Sequence, residues 1–144
     1  MATESLKSIC SFEIPHMIVS VSASAANHFE IHNFCVASEQ AISAVAYLKV
    51  IDDSGATSLG FLVGKSNLAP LKGHTIPRLE LCGAVLATGL GETICNHMNL
   101  SYGICHYYTD SQVVLGYISN TTRRFHTYVA NRVEQIPNIS KPTQ

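Results

Sequence analysis

The sequence predicts an α/β protein in which helices cover a mixed sheet. Three apolar segments of strand-like composition come first, and short polar turns separate them. A long helical pattern follows over residues 76–98, and a fourth strand-like segment comes after it. Because an intervening helix allows two strands to run parallel, this order predicts an antiparallel three-strand meander plus a parallel fourth strand.

The three early strands are predicted over residues 30–37, 41–51 and 58–64, which are rich in Val, Ile, Phe, Tyr and Leu. The run Asp52-Asp53-Ser54-Gly55 separates the second from the third and is a strong hairpin signal, since its glycine accepts a positive φ. The first half of the chain is therefore expected to form an antiparallel meander.

The long helix is predicted to begin just after Thr75, a suitable N-cap, with Pro77 tolerated because the first N–H groups have no partner inside the helix. Apolar residues recur at helical spacing along it. A second stripe consists of small residues, namely Ala84, Ala87 and Gly91. Glu80 stands at the head of that stripe, so we expect it in the first helical turn with its carboxylate directed towards the sheet.

A fourth strand is predicted over residues 103–109, followed by Asp110 and Ser111 as the cap of a second helix. Residues 120–123 break that helix, and a third helical pattern runs over 125–136 until Pro137 ends it. We interpret residues 1–28 as an irregular lead-in, 29–137 as one domain and 138–144 as a polar tail.

Composition limits the possible functions. The chain has 144 residues, of which 47% are hydrophobic and 13% charged, so we expect a folded domain and not a disordered segment. Its net charge of −1 argues against strong, purely electrostatic binding of nucleic acid. No apolar run reaches the ~18 residues needed to span a bilayer, so no membrane contact is expected. Five scattered cysteines without a C-x-x-C pair indicate reduced thiols and an intracellular protein of the cytoplasm or nucleus.

Three positions are expected to meet at one edge of the sheet. Val36 ends the first strand, Asp110 ends the fourth, and Glu80 enters from the helix. The carboxyl ends of parallel neighbouring strands lie side by side, where open α/β sheets place their sites. The alternative interpretation is structural: an acid near a helix start is favoured by the helix dipole, and Asp110 would then be a simple N-cap.

Several segments carry distinctive motifs, namely 30–39 (EIHNFCVASE), 44–49 (AVAYLK), 65–72 (KSNLAPLK), 76–82 (IPRLELC), 108–111 (YTDS) and 128–133 (YVANRV). Together they resemble the ribonuclease H-like domain of BEL/Pao-type LTR retrotransposon polyproteins. This resemblance implies a ribonuclease H-like fold over residues 29–137. It also implies hydrolysis of the RNA strand of an RNA/DNA hybrid by two Mg²⁺ ions, which four carboxylates hold.

The resemblance assigns roles to individual positions. Glu80 and Asp110 stand where the family has two of its catalytic, metal-binding acids. Val36 stands where the family has the aspartate that bridges both ions, so the position is degenerate. The fourth aspartate belongs to a further strand beyond Ile136, which this sequence does not contain, so we expect an incomplete domain. Glu39, in the turn after Val36, is the other acid that could reach the site.

We therefore expect a remnant domain that has lost hydrolysis and does not bind Mg²⁺ stably. The alternative is a domesticated module that binds nucleic acid or protein without catalysis. Basic side chains that would be remnants of a hybrid-binding face are Lys65, Lys72, Arg78, Arg123 and Arg124. With no fifth strand, residues 104–108 would form an exposed edge, through which the protein could self-associate.

Overall fold

The strands and helices follow the predicted order. The computed structural model describes residues 26–70, 73–100, 104–120 and 125–136. The polar tail, most of the lead-in and the basic residues Lys72, Arg123 and Arg124 lie outside the described residues. The elements are β1 (Ala26–Ala37), β2 (Ala41–Asp52), β3 (Thr57–Leu68), α1 (Ile76–Met98), β4 (Cys105–Tyr108), α2 (Gln112–Ser119) and α3 (Thr127–Gln135).

The four strands form one mixed sheet in the order β3-β2-β1-β4. β1 pairs antiparallel with β2 and parallel with β4, and β2 pairs antiparallel with β3. The connection from β3 through α1 to β4 carries the chain across the sheet, which lets β4 run in the direction of β1. These features confirm the predicted α/β class with a meander and a parallel fourth strand.

Strand alternation gives the sheet one buried face. Along β2, every second side chain from Ile42 to Val50 is buried. The buried side chains from Ala44 to Val50, together with Ile31 of β1, pack against α1 residues Ala87, Leu90 and Ile94 in the main core cluster. The expected small stripe of α1 is buried, which lets the helix lie close to the sheet.

The two short helices pack on α1. Leu81 and Ala84 of α1 form a second core cluster with Val114 of α2, Val129 of α3 and Ile136. α1 is therefore the central layer, with the sheet on one side and α2 and α3 on another.

Some boundaries differ from those that the sequence predicted. β1 begins at Ala26, inside the segment interpreted as lead-in. β3 continues to Leu68, four residues beyond the predicted end, because its pairing with β2 persists. The Ser43 and Ser66 hydroxyls lie 2.8 Å apart in this extension and add a side-chain hydrogen bond. Among the described residues, no helix is both long enough and apolar enough to cross a membrane.

Two glycines of α1 provide a matched test of its packing. A Cβ on Gly91 would lie 2.5 Å from the Tyr107 hydroxyl oxygen, whereas a Cβ on Gly89 meets nothing within 4 Å. We expect Gly91→Ala to lower the free energy of unfolding by about 1–2 kcal/mol through overpacking. Gly89→Ala should raise it by about 0.5–1 kcal/mol through helix propensity. Urea denaturation measures both, and equal stability of the two variants would contradict the close packing of α1 on β4.

Candidate active site

The parallel register brings Val36 and Asp110 to the same edge of the sheet. Phe34 pairs with Tyr108 in the last residue pair of β1 and β4, and Val36 and Asp110 each follow two residues later. Both are exposed, Val36 with 58% of its surface accessible. The sequence-predicted neighbours therefore lie at the same end of the sheet.

α1 reaches this edge through a close contact with β1. A Cβ on Gly83 would lie 3.6 Å from both the Cys35 Cβ and the Val36 carbonyl oxygen. Glu80 lies one turn earlier on α1 and is therefore close to the end of β1. The expectation that Glu80 lies in the first turn is wrong, because the helix begins at Ile76 and its first turn contains no acidic residue.

The pKa of the Cys35 thiol depends on its burial and on the charged residues near it. Burial is the main cause that raises the pKa of the Cys35 thiol, while a hydrogen bond with Thr109 lowers it. The negative charges of Asp110 and Glu80 raise the same pKa further. Cys35 thus lies near both carboxylates, on the side of β1 that faces α1.

Ser111 connects α1 to α2 at this edge. Its hydroxyl donates a 2.5 Å hydrogen bond to Glu80 Oε2 and accepts one of 3.2 Å from the Val114 N–H. The structural interpretation of Asp110 as the N-cap of α2 is wrong, because Ser111 is the N-cap and Asp110 precedes it. Ser111 is 5% exposed, so one buried hydroxyl both caps α2 and holds the Glu80 carboxylate.

Sequence reasoning did not identify Ser111 as a partner of Glu80. Its position directly before an apolar helical pattern indicates a cap, and the YTDS motif contains it without assigning it a partner. It also missed Asn33, which is fully buried in β1 on the side that packs against α1. The Asn33 Nδ2 donates a 3.4 Å hydrogen bond to the His106 carbonyl and so links β1 to β4 below the site.

The residues at this edge do not fit a two-metal centre. Such a centre needs several converging carboxylates, and oxygen ligands are those that Mg²⁺ prefers. Here two carboxylates are accompanied by an aliphatic side chain, and one of them accepts the Ser111 hydroxyl. Across the described ranges, no three His, Cys, Asp or Glu side chains lie together in a way that could hold a metal ion. Glu39 is exposed in the turn after β1.

A separate cationic cluster surrounds Tyr128 of α3. The guanidinium carbon of Arg132 lies 3.7 Å from the ring centroid, and that of Arg78 lies 5.0 Å away. The Tyr128 hydroxyl is 3.2 Å from both the Cys82 thiol and the His74 Nδ1. We call these five residues the Tyr128 cluster.

The Tyr128 cluster borders a groove of about 700 Å³ between α1, α3 and the end of β3. Arg132 and the exposed Lys65 both line this groove. Arg78 and Lys65 were predicted as remnants of a nucleic-acid-binding face. The structure places Arg78 at the same ring as Arg132, and Lys65 lines the same groove as Arg132. Lys72, Arg123 and Arg124 of the same predicted set lie outside the described residues.

Comparison with known proteins identifies the family. A family model described as the Pao retrotransposon-like RNaseH-like domain matches residues 2–111, which is more than half of the chain. The chain belongs to this family. No curated protein and no solved structure matches it.

The match supports the fold of this Pao RNase H-like domain. It covers β1 to β4 and α1, and it includes Val36, Glu80 and Asp110. The resemblance stated from the motifs is therefore confirmed, and so is the ribonuclease H-like fold.

The Ser111 hydroxyl allows a test of the link between α1 and α2. Ser111→Ala removes both the cap of α2 and the bond to Glu80, so it should lower the free energy of unfolding by about 1–2 kcal/mol. A double-mutant cycle with Glu80→Gln, measured by urea denaturation, should give a coupling energy of about 0.5–1.5 kcal/mol. Ser119→Ala, at the exposed end of α2, serves as the control and should change stability by less than about 0.5 kcal/mol. A coupling energy of zero would show that Ser111 does not hold Glu80.

Proposed function

We propose that this Pao RNase H-like domain is a remnant that no longer hydrolyses RNA. The activity that its family implies is Mg²⁺-dependent cleavage of the RNA strand in RNA/DNA hybrids. The observation that carries the proposal is Val36, an aliphatic residue at the end of β1 beside Asp110. A valine supplies no oxygen ligand, and the bridging position needs one.

The hydrogen bond of Glu80 leaves this conclusion unchanged. Its Oε2 accepts a short hydrogen bond from Ser111, the N-cap residue of α2. That bond orients the carboxylate, and Oε1 stays available to a cation. With Asp110 as the one other carboxylate among the three assigned positions, the donor set supports at most a weak cation contact.

The test is hydrolysis of a hybrid whose RNA strand is labelled, with Mg²⁺ or Mn²⁺ present. We expect the wild-type chain to cleave no faster than Glu80→Gln. Val36→Asp restores a third carboxylate, which should raise Mn²⁺ affinity about 10–100-fold but restore little cleavage, since two ions need more ligands. Val36→Asn is the matched control, because asparagine has nearly the same shape as aspartate but carries no charge. Wild-type cleavage that disappears in Glu80→Gln would contradict the proposal.

A second candidate is a module that binds nucleic acid without catalysis, and the Tyr128 cluster favours it. The ion pairs within the described part of the chain all involve Glu30, so neither Arg78 nor Arg132 is neutralised by a carboxylate there. Stacking on Tyr128 holds both guanidinium groups in place. A guanidinium held in this way is well suited to bind a phosphate group through two hydrogen bonds.

Binding to an RNA/DNA hybrid, followed by fluorescence anisotropy, tests this candidate. Arg132→Gln should weaken binding and reduce the slope of log affinity against log salt concentration by about 1, with or without Mg²⁺. Lys49→Gln is the control, because Lys49 lies on the other face of the sheet and is paired with Glu30. Absence of binding, or equal effects of the two substitutions, would exclude a binding function of the Tyr128 cluster.

A further inference from the structure

One face of the sheet has no helix on it in the described part of the chain. α1 packs on the face that carries the buried residues of β1 and β2, while α2 and α3 pack on α1. Because side chains alternate along a strand, the intervening residues lie on the opposite face. We call this the open face; on it lie Phe34, Tyr47, Phe61 and Tyr108, one from each strand.

The open face carries most of the exposed apolar bulk. Ten large hydrophobic residues are exposed in the described ranges, and six of them belong to the strands on this face. They are Phe34, Val36, Leu59, Phe61, Leu68 and Tyr108. The other four are scattered singly on α1 and α2, which is normal for a surface. A contiguous apolar patch is unusual on the surface of a monomer, and such patches mark sites of association.

Aromatic rings join into a continuous band across all four strands. Phe34 stacks on Tyr108 with ring centroids 4.6 Å apart. On its other side Phe34 meets Tyr47 edge-on at 6.1 Å, and Tyr47 meets Phe61 at 5.9 Å. His32 extends the band by stacking at 5.1 Å on His106. The rings support one another, so the band presents a rigid surface that loses little side-chain entropy on binding.

The charges of the open face cancel. Lys49 Nζ lies 2.7 Å from Glu30 Oε2, and His32 Nε2 lies 3.1 Å from the same oxygen. The hydrogen bond from Lys49 is the main cause that lowers the pKa of Glu30 to about 2, so this acid is ionised at neutral pH. A phosphate backbone would find no unpaired lysine or arginine here among the described residues, which disfavours nucleic acid as the occupant. A second, identical face would meet no net repulsion.

The area of the open face matches that of a dimer interface. Strands β1, β2 and β3 have 12 residues each. With a rise of ~3.3 Å per residue and strands ~4.8 Å apart, the face covers roughly 600 Å². Two such faces bury about 1,200 Å² in total, which is the lower limit for a stable interface.

We propose that the open face is a homodimer interface, in which a second copy of this chain packs its own open face against it. A two-fold axis places the same patch on both copies, and the aromatic band is then covered from both sides. Two sheets packed face to face lie ~10 Å apart, the spacing found in β-sandwiches. This inference is independent of catalysis. Of the three candidate active-site residues, Val36 lies on the open face, whereas Glu80 belongs to α1 on the opposite face.

Sedimentation velocity of the full chain between 1 and 200 µM tests the proposal. We expect twice the 15.6 kDa chain mass at high concentration. Leu59→Glu, on the open face, should raise the dimer dissociation constant at least ~30-fold, because two carboxylates are then buried in each dimer. Leu115→Glu on α2 is the matched control, since Leu115 is about as exposed, at 51% against 63% for Leu59. It should leave the dimer intact.

Three results would overturn the proposal. They are a wild-type chain that remains monomeric at 200 µM, a Leu59→Glu variant that dimerises as well as the wild type, or equal effects of the two substitutions. The second result would point instead to the exposed edge of β4. Far-UV circular dichroism at low concentration confirms that both variants are folded.

Hydroxyl-radical footprinting of the wild-type chain gives a measurement that needs no variant. Phe34, Phe61 and Tyr108 should become protected as the protein concentration rises, while Met98 of α1 should not. A single-stranded oligonucleotide added at a concentration where the protein is monomeric should leave these rings unprotected. Protection by the oligonucleotide under those conditions would show that nucleic acid occupies the open face, and would refute the dimer.

Discussion

The parallel pairing of β1 with β4 is the contact on which the candidate active site depends. It involves only four residue pairs, from Ile31 with Cys105 to Phe34 with Tyr108. A pairing this short is stable because α1 bridges the two strands and buries Ile31 and Cys105 completely. Since the strands run in the same direction, their carboxyl ends meet at one edge. An antiparallel fourth strand would place Asp110 at the opposite end of the sheet from Val36.

Hydrophobic periodicity predicted most of this framework. The alternation in β2 and the helical repeat of α1 each reflect burial on a single face, which the sequence records directly. The ends of β1 and β3 were predicted less well, because pairing with β2 decides how far those strands continue. Ala26 pairs with Asp52, and Leu68 pairs with Ala41. No local sequence pattern at Ala26 or Leu68 predicts these pairings. Strand order also depends on contacts between distant segments.

The site was only partly predictable for the same reason. The motifs located Glu80 and Asp110, but the bond from Ser111 to Glu80 depends on how closely α2 approaches α1. The Tyr128 cluster combines residues from before α1, from α1 and from α3, so its members are far apart along the chain. On the open face, alternation predicts which side chains share a surface. It does not predict that the rings of Phe34 and Tyr108 stack.

The structure explains why such a fold tolerates a valine at the end of β1. Carboxylates gathered at one edge repel one another unless a cation is bound, so a third acid there would destabilise the metal-free protein. Val36 adds no charge at this edge, and a β-branched residue suits an extended backbone. The core does not depend on this side chain, since Val36 is mostly exposed and its backbone pairs with Ser43 whatever the residue. Ser111 satisfies one oxygen of the Glu80 carboxylate with a hydrogen bond. The residues at this edge therefore suit the stability of the metal-free protein.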